Sequence, residues 1–461
     1  MITPKFSCSQ TDESVIASIY CPSVRATDVE IDVDDAVLTV HINPYFLRLS
    51  FPYSVVEDDK SSAQYDPSSG YLTITLTKSV KGQHFPDLDL LAKLLAPRPS
   101  RSHTRPSIEV LESRHTLADD IADISKRTDA LSLDDEFAQA ARNGWQLSQA
   151  IPDPASEFRT SSKRYYGFLD AFTGYFTHAT HTENEINELG DDAEACNAEE
   201  RRTRRIAHEN EKWDEEHYMA DYAEDEYIQE LINWHNPDLT YAAELVITED
   251  EKMAMLRLPR KEYIMDSFQE HNLYLTLITL MYAHAYDKRT TLNDPTAESA
   301  WTICNLVAPF SALDPPPYSP VELSGVALDF TDAELTSTLV TSYRRSLTFP
   351  LYRSFQLAER CRQDVAAAFR RGKRLITKYL LELKDILDHH DVYYVYSKIW
   401  VEDFCVWIQA GASDAVLVRI GEKLDALRVP KSAIGWDLGE LEEATRFAVD
   451  RDSDSDDESV E

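Results

Sequence analysis

Histidines stand beside carboxylates at two places in this chain of 461 residues, in patterns that metal binding or proton transfer would require. The first place is segment 178–185, where two histidines precede two glutamates (His178, His181, Glu183, Glu185). The spacing is compatible with metal ligation, but no second ligand pair accompanies it, so we expect surface residues and no bound metal. The second place is His389-His390-Asp391, which has no nucleophile at a spacing that would pair with it.

Helix ends explain the second pattern better than catalysis does. If one helix ends near Asp388 and the next begins near Asp391, Asp391 serves as an N-cap and the histidines suit the helix dipole. Glycine is scarce, with 12 residues, and no glycine-rich nucleotide-binding loop is present. The sequence therefore predicts no enzymatic activity and no cofactor. An enzyme with an unrecognised helical active site is the alternative.

Basic and aromatic side chains are concentrated between residues 343 and 400, although the whole chain has a formal net charge of −35. Basic pairs in such a chain need either acidic neighbours or a specific docking surface. The candidates for partner binding are Arg344, Arg345, Arg353, Lys373, Arg374, Asp391 and Tyr394. We expect the five basic residues to be mostly structural and to join neighbouring helices through carboxylates such as Glu359, Asp364 or Asp391. The alternative is that they belong to the interface.

The acidic excess, 81 Asp and Glu against 46 Lys and Arg, argues against direct nucleic-acid binding because phosphates would be repelled. A basic protein partner is the natural complement. Segment 183–230 carries eighteen acidic and five basic residues, and we expect a charged helix from Arg201 onward. Residues 450–461 should form a disordered acidic tail, in which the candidates for partner binding are Asp456, Asp457 and Glu458.

Residues 1–96 are predicted to form a small antiparallel β-sandwich. Apolar and polar residues alternate near 29–33, 45–51 and 71–76, and turn-forming residues separate these runs. Several short strands spaced in this way are typical of a sandwich. Segment 97–144, which begins with a Pro-, Ser- and Arg-rich stretch, has too little apolar surface to offset the entropy of ordering. We therefore predict a disordered linker there.

Residues 145–449 are predicted to form an all-α domain. Apolar residues recur at helical spacing over 357–369 and again over 375–387, and Gly372 separates the two stripes. This pattern predicts two packed helices. Helix starts are predicted at the capping boxes Thr248/Glu251 and Thr331/Glu334 and at Asp294-Pro295.

Cysteine usage and hydropathy bear on the cellular location. Six isolated cysteines without a Cys-x-x-Cys pair indicate reduced core residues in an intracellular protein. The longest apolar run, near 273–286, is shorter than the roughly 20 residues that a membrane span requires. The amino terminus resembles no targeting segment of the usual kinds. We expect a protein of the nucleus and cytoplasm that does not bind membranes.

Short motifs along the chain resemble, in the correct order, those of the assembly chaperones of H/ACA ribonucleoproteins. In the first 96 residues they are NPYFLRLSFP (43–52), AQYDPSSGYLTITL (63–76) and GQHFPDLDLLAKLLA (82–96). In the helical part they are YYGF (165–168), INEL (186–189), ESAWT (298–302), YRRSLTFPLYRSFQLA (343–358), RGKRLI (371–376) and HDVYYVYSK (390–398). The resemblance implies an amino-terminal CS domain followed by a helical domain that is specific to this family.

The resemblance also implies a function in H/ACA small nucleolar ribonucleoprotein assembly, and hence in ribosome biogenesis. Members of the family hold a newly made dyskerin-type pseudouridine synthase on its RNA-binding surface, as an RNA mimic, and AAA+ ATPases help to release it. This implies a monomeric chaperone of the nucleoplasm and cytoplasm that binds an unfolded or unassembled client. The alternative is a general CS-domain co-chaperone or adaptor of the major heat-shock ATPase with many clients.

Overall fold

The computed structural model describes residues 2–22, 24, 29–96, 165–176, 184–240, 245–320 and 328–456. Side chains are described for these residues except 191 and 449–456. Three predicted segments lie outside the described residues. They are the linker (97–144), the first residues of the helical domain (145–164) and the end of the tail (457–461). His178, His181 and Glu183 also lie outside the described residues.

Eight strands between residues 5 and 78 form two antiparallel sheets, as a sandwich requires. One sheet has the order β1-β2-β8-β6, with β7 also paired to β8, and the other has the order β3-β4-β5. Leu72, Ile74 and Leu76 of β8 are buried, as their alternation predicts. The strands are β1 (Lys5–Gln10), β2 (Ser14–Tyr20), β3 (Glu30–Asp34), β4 (Val37–Ile42), β5 (Tyr45–Ser50), β6 (Val55–Val56), β7 (Ser62–Asp66) and β8 (Tyr71–Lys78).

Helices and the loops between them make up almost all of the rest of the described chain, apart from an isolated bridge between Tyr166 and Phe172, and this confirms the predicted fold class. Helix α6 is buried along most of its length and lies at the centre of the helical core. The helices are α1 (Leu91–Leu95), α2 (Ala198–Lys212), α3 (Glu215–Ala223), α4 (Glu226–Asn233), α5 (Glu249–Arg257), α6 (Ser267–Thr290), α7 (Ser299–Leu306), α8 (Ala308–Ser311), α9 (Asp332–Thr348), α10 (Phe355–Arg370), α11 (Lys373–Asp388), α12 (Tyr394–Tyr396), α13 (Glu402–Ala410), α14 (Asp414–Ala426) and α15 (Leu438–Asp456). A π-helical turn, Ser397–Val401, joins α12 to α13.

Local sequence signals account for most of these boundaries. Both predicted capping boxes are present, at the starts of α5 and α9. Gly372 separates α10 from α11 with a φ of 82°, a conformation that favours glycine. The helix start predicted at Asp294-Pro295 is wrong, because the next helix begins at Ser299 and Glu298 is its N-cap. Helix α15 ends at Asp456, so it includes the first part of the predicted acidic tail.

The sandwich and the helical region belong to one compact unit. Helix α1, which follows β8, packs against β5 and also against α5 and α13. The backbone N–H of Ala92 in α1 donates to Oε1 of Gln409 in α13 at 3.2 Å, and Lys5 pairs with Glu249 at 2.7 Å. Independent folding of the two parts stays a prediction.

Two further expectations from the sequence concern the cysteines and membrane-spanning helices. All six cysteines are unpaired, and all but Cys8 are buried, as expected for core residues. Over the described ranges no single helix is long and apolar enough to cross a membrane. The bent pair Tyr394–Ala410 and Asp414–Ala426 passes that test together, by length and composition only.

Candidate protein-interaction surface

The two adjacent arginines at the start of the YRRSLTFPLYRSFQLA motif are buried inside the helical region. Arg345 is 0 % exposed and Arg344 is 9 % exposed. Nε of Arg344 donates to Oε2 of Glu209 at 2.6 Å, and Nη2 of Arg345 donates to Oε1 of Glu188 at 2.6 Å. These contacts support the structural reading of both arginines, while their assignment to partner binding stays untested.

Glu209 in α2 lies at the centre of this buried network. Its Oε1 accepts from Arg205 at 2.7 Å and from Arg345 at 3.4 Å, and Arg205 also donates to Asp314 at 2.7 Å. Burial alone would raise the pKa of Glu209, but the guanidinium groups outweigh burial and the pKa is lowered. The network therefore fixes α2 to α9 and to the loop after α8.

The carboxylates predicted as partners of these arginines are the wrong ones. Glu359 accepts from Arg362 at 3.0 Å and from the hydroxyl of Tyr343 at 2.7 Å. Asp364 pairs with Arg289 of α6 through two hydrogen bonds of 2.6 and 3.0 Å. Both carboxylates lie on α10, and the packing of α10 against α6 and α9 sets their partners.

The other three basic candidates occupy different surroundings. Arg353 lies beside α3, since its backbone N–H donates to Asp221 and its side chain is 3.9 Å from Asp214. Nζ of Lys373 donates to the carbonyl oxygen of Ala412 at 3.0 Å, and burial lowers the pKa of Lys373. Arg374 is exposed and pairs with Asp89 of the segment that follows the sandwich strands.

Asp391 and Tyr394 are exposed, and Tyr394 retains 46 % of its accessible surface. The N-cap predicted at Asp391 is wrong, because Tyr393 is the N-cap of α12. The ring of His390 satisfies the local backbone instead, since its Nδ1 accepts from the N–H groups of Val392 and Tyr393. This cap was not predicted, because residue type alone does not show which of His389, His390 and Asp391 faces the free backbone N–H groups.

The candidate residues of the tail lie at the end of the described residues or beyond it. The backbone of Asp456 belongs to the last turn of α15, but its side chain is not among the described ones. Asp457 and Glu458 lie beyond the described residues.

The structure also contains a surface of exposed carboxylates. In the sequence this surface is visible only as a charge bias, and it was not predicted as a site of partner binding. Residues 213–234, which form α3 and α4, contain eight Asp and Glu and no Lys or Arg. We call this segment the acidic face. Its exposed carboxylates are Asp214, Glu215, Glu216, Glu224, Glu226 and Glu230. The signal that could have identified it was the composition of segment 183–230.

Contacts with the carboxyl-terminal part of the helical region anchor the acidic face. Trp213, at the start of the face, stacks on Trp436 with the ring centroids 4.2 Å apart. The guanidinium of Arg344 lies over the ring of Trp436, 4.2 Å from its centroid. The hydroxyl of Tyr218 in α3 donates to Glu442 in α15 at 2.8 Å. The acidic face is thus joined to the segment around Trp436 and to α15 by a ring stack and a hydrogen bond.

The geometry of the described side chains offers no metal centre. Among them no group of three or more His, Cys, Asp or Glu residues is arranged to hold a metal ion. Glu185, the described member of the first histidine pattern, accepts from the hydroxyl of Tyr393 at 3.3 Å.

Comparison with known proteins decides the family. Residues 237–438 match the family model "SHQ1 protein, Shq1 domain", and residues 3–95 match "SHQ1-like, CS domain". A curated relative from Schizosaccharomyces pombe, "Protein shq1", is 34 % identical over 99 % of both chains. The chain belongs to the SHQ1 family. This confirms the resemblance to H/ACA ribonucleoprotein assembly chaperones, and membership of the SHQ1 family supports an assembly-chaperone role.

A further curated relative and two solved structures also match parts or most of the chain. "Protein SHQ1 homolog" of Xenopus tropicalis is 31 % identical over 98 % of this chain and 71 % of its own length. Among solved structures, the CS-b5R domains of human Ncb5or are 22 % identical over 19 % of this chain and 25 % of that chain, with a TM-score of 0.17. Heat shock protein 16.0 from Schizosaccharomyces pombe is 20 % identical over 18 % of this chain and 94 % of that chain, with a TM-score of 0.16.

Proposed function

We propose that this SHQ1 family member is an assembly chaperone that binds a newly made dyskerin-type pseudouridine synthase on its RNA-binding surface. The observation that carries the proposal is the acidic face, which presents six exposed carboxylates and no Lys or Arg over residues 213–234. A protein surface that binds RNA phosphates is rich in Lys and Arg. Exposed carboxylates of a chaperone complement such a surface in charge while RNA is absent. The chaperone then acts as an RNA mimic.

The mechanism is stoichiometric and needs no covalent step. The bound chaperone covers the basic surface of the synthase, keeps irrelevant RNA away and prevents aggregation until guide RNA and the core proteins arrive. AAA+ ATPases then release it, and the chaperone acts as a monomer in the nucleoplasm and cytoplasm. Long-range attraction between the acidic face and the synthase speeds their encounter, and salt screens it over roughly 8–10 Å.

Neutralisation of the acidic face tests this proposal. Glu215→Gln/Glu216→Gln removes two exposed charges that make no described side-chain contacts, and the association rate with the synthase should fall at low salt. The matched control is Glu57→Gln/Asp59→Asn, which removes two exposed charges from the sandwich. Stopped-flow or surface plasmon resonance measures both. Equal rates for the two variants would refute the assignment of the acidic face.

The second candidate is a general co-chaperone of the major heat-shock ATPase, which the CS-type sandwich favours. A pull-down of the full chain followed by mass spectrometry separates the two. One dominant synthase supports the assembly chaperone, whereas a broad set of clients together with the heat-shock ATPase supports the co-chaperone.

A further inference from the structure

A cavity of about 320 Å³ lies between α10, the end of α14 and the segment that follows α4. Three arginines border it, namely Arg360, Arg370 and Arg428, and we call it the arginine cavity. On α10 its lining recurs at spacings of three and four residues, which places the side chains on one helix face. Ala367 is the smallest side chain of that face, so its position leaves space between the arginines.

The charges around the arginine cavity do not balance. Arg370 pairs with Asp425 at 3.0 Å, and Asp364, which also lines the cavity, is neutralised by Arg289. Arg360 donates only to the amide oxygen of Gln363, at 2.8 Å.

Arg428 is also without a carboxylate. It donates to the carbonyl oxygens of Asp425 and Leu427 at 2.8 and 2.9 Å. Neither Arg360 nor Arg428 has a carboxylate within 4.0 Å among the described residues, so neither has an ion-pair partner in a chain of net charge −35.

Two of the arginines that line the cavity also hold a donor without an acceptor. The Nε atoms of Arg360 and Arg370 are buried and have no acceptor in the described structure. Most buried donors in proteins are satisfied, because an unpaired one loses its hydrogen bond to water without replacement. A ligand with several acceptor oxygens and a charge of about −2 would supply the counter-charge that Arg360 and Arg428 lack.

We propose that the arginine cavity binds a phosphate group, as a monoester dianion. At neutral pH such a group carries about −1.5 to −2 charge and has three terminal oxygens, which the planar forks of two or three arginines hold in bidentate fashion. The cavity is too wide for one phosphate alone and leaves room for the group that carries it. That group is either a phosphorylated metabolite or a phosphoserine side chain of a protein. The site is separate from the acidic face and does not rest on the function proposed above.

Isothermal titration calorimetry on the full chain tests the proposal, with inorganic phosphate, ribose 5-phosphate and a phosphoserine peptide as probes, in a phosphate-free buffer of constant ionic strength. Saturable binding of phosphate with one site per chain is expected. Tighter binding of the peptide than of inorganic phosphate would identify a protein source, and tighter binding of the sugar phosphate a metabolite source.

Variants of the cavity decide whether the binding is specific. Arg360→Gln and Arg428→Gln should each weaken phosphate binding by about tenfold or more. Ala367→Met should narrow the cavity between the arginines and weaken binding while every charge is kept. Arg428 and the control Arg257→Gln are both exposed, so these variants should fold like the parent chain. The proposal is overturned if phosphate does not saturate the parent chain, or if Arg257→Gln weakens binding as much as Arg428→Gln does.

Discussion

At the residue scale, the buried arginines of α9 act as fixed internal links. Arg345→Ala should lower the free energy of unfolding by roughly 3–5 kcal/mol, because Glu188 and Glu209 stay buried with fewer partners. Chemical denaturation measures the change. The control Arg204→Ala removes an exposed pair with Asp192 and should cost no more than about 1 kcal/mol. An Arg345 variant of parental stability that no longer binds the synthase would place Arg345 in the interface instead.

Asp287 gives the pH dependence of stability an unusual sign. Burial raises the pKa of Asp287 from 3.8 to about 6, so the folded state favours its neutral form. The unfolding free energy should therefore fall as the pH rises from about 4 to 6, and Asp287→Asn should remove this fall. At pH 7 the variant should be more stable by up to about 3 kcal/mol.

The control for Asp287 is a second buried aspartate with the opposite environment. Asp314 is paired with Arg205 at 2.7 Å and with Arg202 at 3.2 Å, so Asp314→Asn should destabilise the protein at pH 7. Thermal unfolding from pH 4 to pH 7 measures both variants. Loss of stability in Asp287→Asn at pH 7 would contradict the account.

The ion-pair partner of each buried arginine was the least predictable feature at the residue scale. The hydrogen bond between Arg344 and Glu209 joins residues 135 positions apart, and no spacing rule reaches across such a distance. The prediction of structural arginines needed only the charge balance of the chain. The choice among 81 carboxylates needed the packing of α2 against α9.

At the element scale, the break between α10 and α11 depends on Gly372. Its φ is 82°, and a Cβ atom there would lie 2.7 Å from Oδ1 of Asp414, which accepts the backbone N–H of Lys373 at 2.7 Å. Gly372→Ala should destabilise the protein by more than about 1 kcal/mol. Gly439→Ala in α15 is the control, because its Cβ meets nothing within 4 Å, and it should be neutral or stabilising. Similar melting temperatures for the two variants would contradict this reading.

Elements with local signals were predictable and those without them were not. The capping boxes of α5 and α9 and the glycine between α10 and α11 act within a few residues, so the sequence alone indicates them. The division of segment 198–233 into three helices was not predicted. Trp213 and Trp436 stack where α2 ends, and this contact joins residues that are distant in sequence.

At the scale of the whole molecule, helix α1 joins the sandwich to the helical region. Limited proteolysis should cut the chain between residues 97 and 144, where a disordered linker is predicted. The two fragments should then elute together in size-exclusion chromatography, because Leu91, Leu94 and Leu95 of α1 are buried in the compact unit. Protection of the whole stretch would defeat the linker prediction, and separate elution would show that α1 does not hold the parts together.

The fold class and family were predictable at this scale, and the interaction surface was not. Alternating strands, helical stripes and ordered motifs suffice to assign a CS-type sandwich and a helical domain. The net charge of −35 indicated a basic partner, but only the structure separates the exposed carboxylates of α3 and α4 from buried ones such as Glu209. Burial decides whether a carboxylate is available to a partner.

The central claim is that this chain occupies the surface of the synthase that binds RNA. The most direct measurement mixes the chain, a dyskerin-type synthase and its guide RNA, and follows the complexes by size-exclusion chromatography. RNA mimicry predicts two exclusive complexes, in which added guide RNA displaces the chain from the synthase in proportion to its concentration. A stable ternary complex of chain, synthase and guide RNA would contradict it.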